Sequence, residues 1–303
     1  PYAEAALGSG RRLIYFRFSD HPTLLTDAEI HYPDAESGFD VFVDQVHSVI
    51  EAAGKETFYV FDCLSHLADI WQSDRKMGNF FRLTCPRLFD LDTVTYFGVY
   101  RNRHAKPAMG VITNTTQFMI DVFRCRARLY LRPIKVQHRS AAAMNLIHAW
   151  ETEGRFRPVR DSGTVAEILA NSQWPGLEDN QIASHWQKLF SAAKPVAVAR
   201  RAGFPDPAEW EWFARLSRML FGDDPAMSQL IDEYLTLDDL LTVRSRMIGT
   251  GTIGGKALGM LLARAVLRRD EPQLDARVEA HDSFYIGTDV FDTFLIHNEL
   301  WWI

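Results

Sequence analysis

Short apolar runs alternate along the first half of the chain with longer segments whose apolar positions recur every three or four residues. Arg12-Leu-Ile-Tyr-Phe-Arg-Phe18 reads as a strand, and Phe39 to Ala53 as an amphipathic helix stopped by Gly54. Thr57-Phe-Tyr-Val-Phe61 is nearly continuous in apolar character, as a strand covered on both faces must be, and it runs into Asp62. Helical spacing surrounds Phe80 to Leu91. Val94-Thr-Tyr-Phe-Gly-Val-Tyr100 predicts a third strand, Thr115 to Phe123 a helix, and Ala127-Arg-Leu-Tyr-Leu-Arg132 a fourth strand. Strands interleaved with helices predict an α/β layer fold with a mostly parallel sheet.

From Ser140 to Leu237 the texture becomes helical, with Trp150, Trp174, Trp186, Trp210 and Trp212 on apolar faces. Turns at Pro175-Gly176, Gly203 to Pro207 and Gly222 to Pro225 punctuate it. This predicts a helical connector whose aromatics serve core contacts, since basic residues do not interleave with them as they would on a platform for nucleic-acid bases.

At 303 residues the chain has the length of about two domains. Hydrophobic residues make up 47% and charged ones 24%, and no apolar run reaches bilayer length, so a globular protein outside the membrane is expected. The start, Pro1-Tyr-Ala-Glu-Ala-Ala, has neither an initiating Met nor a basic-then-apolar leader, which fits an internal cut in a cytoplasmic protein. Cys63, Cys85 and Cys125 are too dispersed for a disulfide framework or a Cys-x-x-Cys zinc site. A net charge of −6 gives no overall pull toward nucleic acid or anionic lipid, so phosphate chemistry has to rest on local positive sites.

One such site is Arg244-Ser-Arg-Met-Ile-Gly-Thr-Gly-Thr-Ile-Gly-Gly-Lys-Ala-Leu-Gly-Met260, which places Gly249, Gly251, Gly254, Gly255 and Lys256 between two helical patterns. Glycines let main-chain N–H groups approach an anion, and the helix beginning near Ala257 offers its amino terminus to the same charge. A Walker A loop it is not. That loop needs four residues between its key glycines and a hydroxyl after the lysine, whereas Gly255 follows Gly251 after three and Ala257 stands in the hydroxyl position. Arg244 and Arg246, two apart, cannot share a helix face, so at most one points into the site.

The glycine-glycine-lysine segment resembles the start of the nucleotide-binding domain of pyruvate phosphate dikinase and phosphoenolpyruvate synthase. Ser283-Phe-Tyr-Ile-Gly-Thr-Asp-Val-Phe-Asp-Thr-Phe294 is similar to that family's following strand and capped helix, so the resemblance covers roughly 238–303. It implies the beginning of an ATP-grasp-like domain, with Gly251, Gly254, Gly255 and Lys256 holding the phosphates of ATP in the company of Mg²⁺. It further implies phosphoryl transfer toward pyruvate or phosphoenolpyruvate in the full-length protein, while this part by itself is expected to be inactive.

Residues 1–139 resemble a KaiC/RecA-like ATPase domain, a P-loop NTPase type of fold, on the block from Tyr59 to Arg139. Val60-Phe-Asp-Cys-Leu-Ser65 occupies the place of the Walker B strand, implying a Mg²⁺ role for Asp62; the bland alternative is a polar strand end or helix cap. Lys135-Val-Gln-His-Arg139 is similar to the segment that reaches a neighbouring subunit's nucleotide, implying phosphate contacts from Lys135 and Arg139 in a homo-oligomer. No Walker A loop precedes Arg12, and Phe18-Ser-Asp-His21 lacks the family's paired glutamates. Arg124, Arg126, Arg128 and Arg132 alternate as if on one strand face, either to bind phosphate or to guard a sheet edge.

The expected organisation is therefore a degenerate RecA-like domain over 1–139, a helical connector over 140–237 and the ATP-grasp-like start over 238–303. Two functions remain open: a phosphotransferase of the dikinase type, or a non-catalytic nucleotide-sensing or oligomerising regulator. Nucleic acid and membranes are not expected partners.

Overall fold

The computed structural model describes residues 8–19, 27–101, 103–137, 144–151, 155–171, 185–204, 206–279 and 283–303. The chain divides into two compact units, Pro1–His66 with Phe80–Ile182, and Leu67–Asn79 with Ala183–Ile303.

The first unit opens on a parallel sheet of β1 (Leu13–Arg17), β2 (Glu29–His31), β3 (Phe58–Asp62) and β4 (Val94–Phe97), in the order β2-β1-β3-β4. Between β2 and β3 lies helix α1 (Phe39–Ala53); α2 (Leu64–Trp71) and α3 (Asp74–Asp90) precede β4. Alternation puts Ile14, Phe16, Tyr59 and Phe61 on one sheet face, all with no exposure. Their rings meet those of the helices above: Phe16 and Phe61 lie 4.7 Å apart between centroids, Phe42 of α1 meets Phe80 of α3 at 5.2 Å, and Phe81 meets Phe97 at 4.8 Å. Each such burial is worth roughly 1.5–3 kcal/mol. Helix α1 stops where the sequence placed its stop: Gly54, at φ 72°, returns its N–H to the Ile50 carbonyl at 3.1 Å.

After α4 (Lys106–Thr115) the structure departs from expectation. The helix expected over Thr115 to Phe123 gives way to strand β5 (Phe118–Cys125), which pairs with β6 (Arg128–Val136) and then with β7 (His148–Trp150) and β8 (Phe156–Pro158) in an antiparallel sheet. The physical reason is the turn. Arg126 and Ala127 take φ 46° and 64°, the left-handed pair of a two-residue hairpin, and Phe118, Ile120 and Val122 alternate along the strand that it returns. This turn also breaks the expected basic face. Arg124 sits opposite Leu129 and Cys125 opposite Arg128, so Arg124 and Arg128 lie on opposite faces. Arg132 is 3.7 Å from Asp121, which Arg101 also approaches at 3.6 Å. Ile168 of α5 (Ser162–Asn171) closes the sheet's covered face with Cys125, Tyr130 and Ile147.

The second unit is mainly helical: α6 (His185–Arg201), α7 (Glu209–Phe221), α8 (Pro225–Tyr234), α9 (Leu237–Ser245), α10 (Gly255–Asp270), α11 (Pro272–Asp275) and α12 (Thr288–His297). Its core draws Phe190 and Ala193 from α6, Leu216 and Leu220 from α7, Leu240 and Val243 from α9, and Leu258 and Leu262 from α10. A capping box starts α9: the Thr236 hydroxyl accepts from Asp239 N–H, and the Asp239 carboxylate accepts from Thr236 N–H. Two tiny strands, β9 (Met247–Ile248) and β10 (Tyr285–Ile286), pair in parallel. Tyr285 turns inward, while Ile248 and Ile286 face out at 50% and 55% exposure. The tryptophans divide: Trp186 is buried and Trp210 is exposed. Among the described residues no helix is long and apolar enough to cross a membrane.

Candidate functional site: the glycine loop before helix α10

The glycine segment has two halves with different physics. Residues 249–253 are packed against the start of α12. Gly249 has φ 86°, and a Cβ there would run into the Asp289 carboxylate and Val290, so only glycine fits. Gly287, the residue capping α12, lies so near the Thr250 carbonyl that a methyl group there would collide with it. Main-chain bonds stitch the approach: Gly287 N–H donates to Ile248 O at 2.9 Å, Thr288 N–H to Thr252 O at 3.0 Å, and Ile253 N–H to Leu220 O at 2.8 Å. Gly251 belongs to this packed half, buried and 2.6 Å from the Thr288 hydroxyl as measured from its would-be Cβ.

The second half is open. A Cβ added to Gly254 or Gly255 would meet nothing within 4 Å, and Lys256 is exposed. Gly254 caps α10 without a side-chain hydrogen bond, and the first turn holds no acid. Such an uncapped start presents main-chain N–H groups and the positive end of the helix dipole to solvent. Leu258 and Leu262 point into the core from the same helix, which holds its first turn in place.

Behind the loop lies a buried polar network. Asp289, with no exposure, accepts from Thr250 N–H at 2.9 Å and from the Thr250 hydroxyl at 2.5 Å. Ser73 lies 2.7 Å from the Thr250 hydroxyl and donates toward Asp289 Oδ2 at 3.3 Å. Arg75 Nε stands 3.7 Å from the same carboxylate, and Lys76 pairs with Asp292 at 3.3 Å. Arg244 donates to Gly249 O at 3.2 Å and lies over the Phe190 ring at 5.7 Å. Burial pulls the Arg244 pKa down, partly offset by the charge of Asp289.

No family model and no curated protein matches this sequence. Among solved structures, the chain is similar to a KaiC-like protein from the hyperthermophilic archaeon Pyrococcus horikoshii, with a TM-score of 0.38 and 12% identity over 52% of this chain and 80% of that one. At that level the likeness carries no argument about chemistry. What the coordinates establish is a mixed α/β chain with a parallel sheet.

The remaining sequence-derived candidates are dispersed. Asp62 does end β3, and its carboxylate accepts the Tyr15 hydroxyl from the neighbouring strand. Lys135 sits on β6 and donates to the carbonyls of Thr113 and Asn114 at 2.6 and 3.2 Å, where α4 ends. Arg139 lies outside the described residues. Among the described residues no group of three or more His, Cys, Asp or Glu side chains is arranged to hold a metal. Sequence reasoning passed over Ser73 and Thr250. Asp289 was inside the quoted motif, but its partners are distant in the chain, and no local pattern signals them.

Proposed function

We propose that residues 238–303 begin a nucleotide-binding domain of the pyruvate phosphate dikinase and phosphoenolpyruvate synthase type, whose phosphate contact is the open start of α10. The observation that carries this is the contrast within one loop: Gly249 and Gly251 are consumed by packing, while Gly254, Gly255 and Lys256 are left facing outward. A triphosphate suits that surface. Main-chain N–H groups of the first helical turn can donate to phosphoryl oxygens, and the Lys256 ammonium can neutralise developing charge. Mg²⁺ would arrive on the nucleotide, and its contribution when bound is to screen the phosphate charge. In the intact protein the acceptor would be pyruvate or phosphoenolpyruvate, and the chemistry would rest on positioning and electrostatic stabilisation.

Titration calorimetry with Mg-ATP tests this. Lys256→Ala should weaken binding by about tenfold, the worth of one charge-assisted contact. Micromolar affinity that survives the substitution removes the assignment.

A second reading is favoured by the first unit, where Tyr15 and the end of α4 occupy the two polar groups expected to meet nucleotide, Asp62 and Lys135. On that reading the parallel-sheet unit hydrolyses nothing and serves sensing or self-assembly. An oligomer in light scattering without ATPase activity in the full-length protein supports it, and pyruvate-dependent AMP formation supports the phosphotransferase.

A further inference from the structure

We infer that Asp289 and Arg244 are positioning residues that clamp a single peptide plane, Gly249–Thr250, and thereby set the loop conformation that leaves Gly254 to Lys256 open. The two contacts fall on the two ends of one peptide group. Arg244 donates to its oxygen, Gly249 O, at 3.2 Å, and Asp289 accepts from its nitrogen, Thr250 N–H, at 2.9 Å. Rotating this peptide about its Cα–Cα axis would change ψ of Gly249, which glycine at φ 86° tolerates, and φ of Thr250. Rotation would turn the oxygen toward the carboxylate and the N–H toward the guanidinium, reversing both contacts from attraction to repulsion. The clamp therefore favours one of two orientations.

The surroundings make it stiff. Asp289 is fully buried, so its charge is little screened, and the Thr250 hydroxyl and Ser73 occupy its second oxygen at 2.5 and 3.3 Å. The Arg244 guanidinium carbon lies 5.7 Å from the centre of the Phe190 ring. The carboxylate in turn sits in the first turn of α12, where a negative charge is favoured. Through hydrogen-bonded contacts to Gly249 O and Thr250 N–H these groups act on the loop at its main chain.

The functional arm of this inference rests on the nucleotide reading above, and the clamp itself does not, so the two are read separately. In nucleotide-free protein, amide exchange at Thr250 should speed up by about a hundredfold in Asp289→Ala, because the carboxylate that accepts from it is gone, and much less in Asp289→Asn, whose side-chain oxygen can still accept. Arg244→Ala should raise exchange at the same amide, and the double variant should fall short of the sum of the two in log exchange rate, as expected for two groups acting on one peptide. If Asp289→Ala does not fold, Asp289→Asn and Arg244→Ala carry the test. Unchanged Thr250 exchange in Arg244→Ala, or strict additivity, overturns the clamp. Mg-ATP titration then reads its consequence: Asp289→Ala or Arg244→Ala should weaken binding by about tenfold while Lys256 is intact. Wild-type protein that shows no Mg-ATP binding removes the nucleotide reading and leaves the clamp to stand or fall on exchange alone. Wild-type binding that both clamp variants retain in full overturns the positioning role.

Discussion

Acid should weaken the first unit through one buried histidine. His47 lies on the inner face of α1, 3% exposed, with Nε2 at 3.1 Å from the Thr84 hydroxyl on α3. Burial, aided by the nearby Arg87 guanidinium, lowers its pKa from 6.5 to about 4. The folded chain thus binds this proton less readily than the unfolded one. Stability from this group is whole above pH 6.5, declines as the pH falls toward about 4, and is flat below that. The gap between 6.5 and about 4, at ~1.4 kcal/mol per pH unit, amounts to about 3 kcal/mol. That is a large share of the 5–15 kcal/mol that typically holds a domain together, roughly speaking. Denaturant unfolding followed by hydrogen exchange in α1 and α3 across this pH range should show a slope in wild type that His47→Leu lacks, whatever the variant's stability at neutral pH. Ring resonances give the direct reading. An imidazole at position 47 that titrates near 6.5 in folded protein, or equal slopes in the two chains, refutes the reasoning.

Two other outcomes follow from local geometry. Thr236→Ala removes the capping box of α9 and should cost about 1 kcal/mol in thermal or chemical unfolding of the second unit. Asp239→Ala added to it should cost little more, since both side chains serve one cap; full additivity would argue against the box. Gly287→Ala forces a methyl group onto the Thr250 carbonyl and should destabilise by roughly 1–3 kcal/mol, whereas Gly254→Ala, which meets open space, should stay within about 1 kcal/mol. Equal melting temperatures for these two variants would contradict the division of the loop into packed and open halves.

Much of the parallel sheet was legible because its strands announce themselves locally. Phe58 on one face of β3 and Tyr59 and Phe61 on the other are all buried, which makes the run apolar, and Gly54 ends α1 because it supplies the positive φ that other residues resist. The antiparallel sheet was hidden by its turn. Arg126 and Ala127 carry no Asn-Gly or Gly-Gly signature, so nothing in the sequence marks the reversal that makes 118–136 a hairpin. At the site, Gly-Gly-Lys and the helix behind it were visible as a motif, and Gly254, Gly255 and Lys256 are exposed. The division of labour among the glycines was not visible, because it depends on which of them Asp289, Thr288 and Thr250 press against. Likewise, nothing in the sequence marks that Lys135 donates to the carbonyls at the end of α4.

The bond between Ser73 and Asp289 spans 216 residues of sequence. During synthesis at about 5–20 residues per second, Ser73 leaves the ribosome roughly ten to forty seconds before the carboxylate it needs has been made. Throughout that interval the Ser73 hydroxyl, which accepts from Lys76 N–H at 3.2 Å, lacks its distant acceptor, and the Gly249–Thr250 peptide is not yet committed to either orientation. The loop is thus set only after residue 289 has been made, and a ribosome stalled before that point would carry a glycine turn without its buried carboxylate.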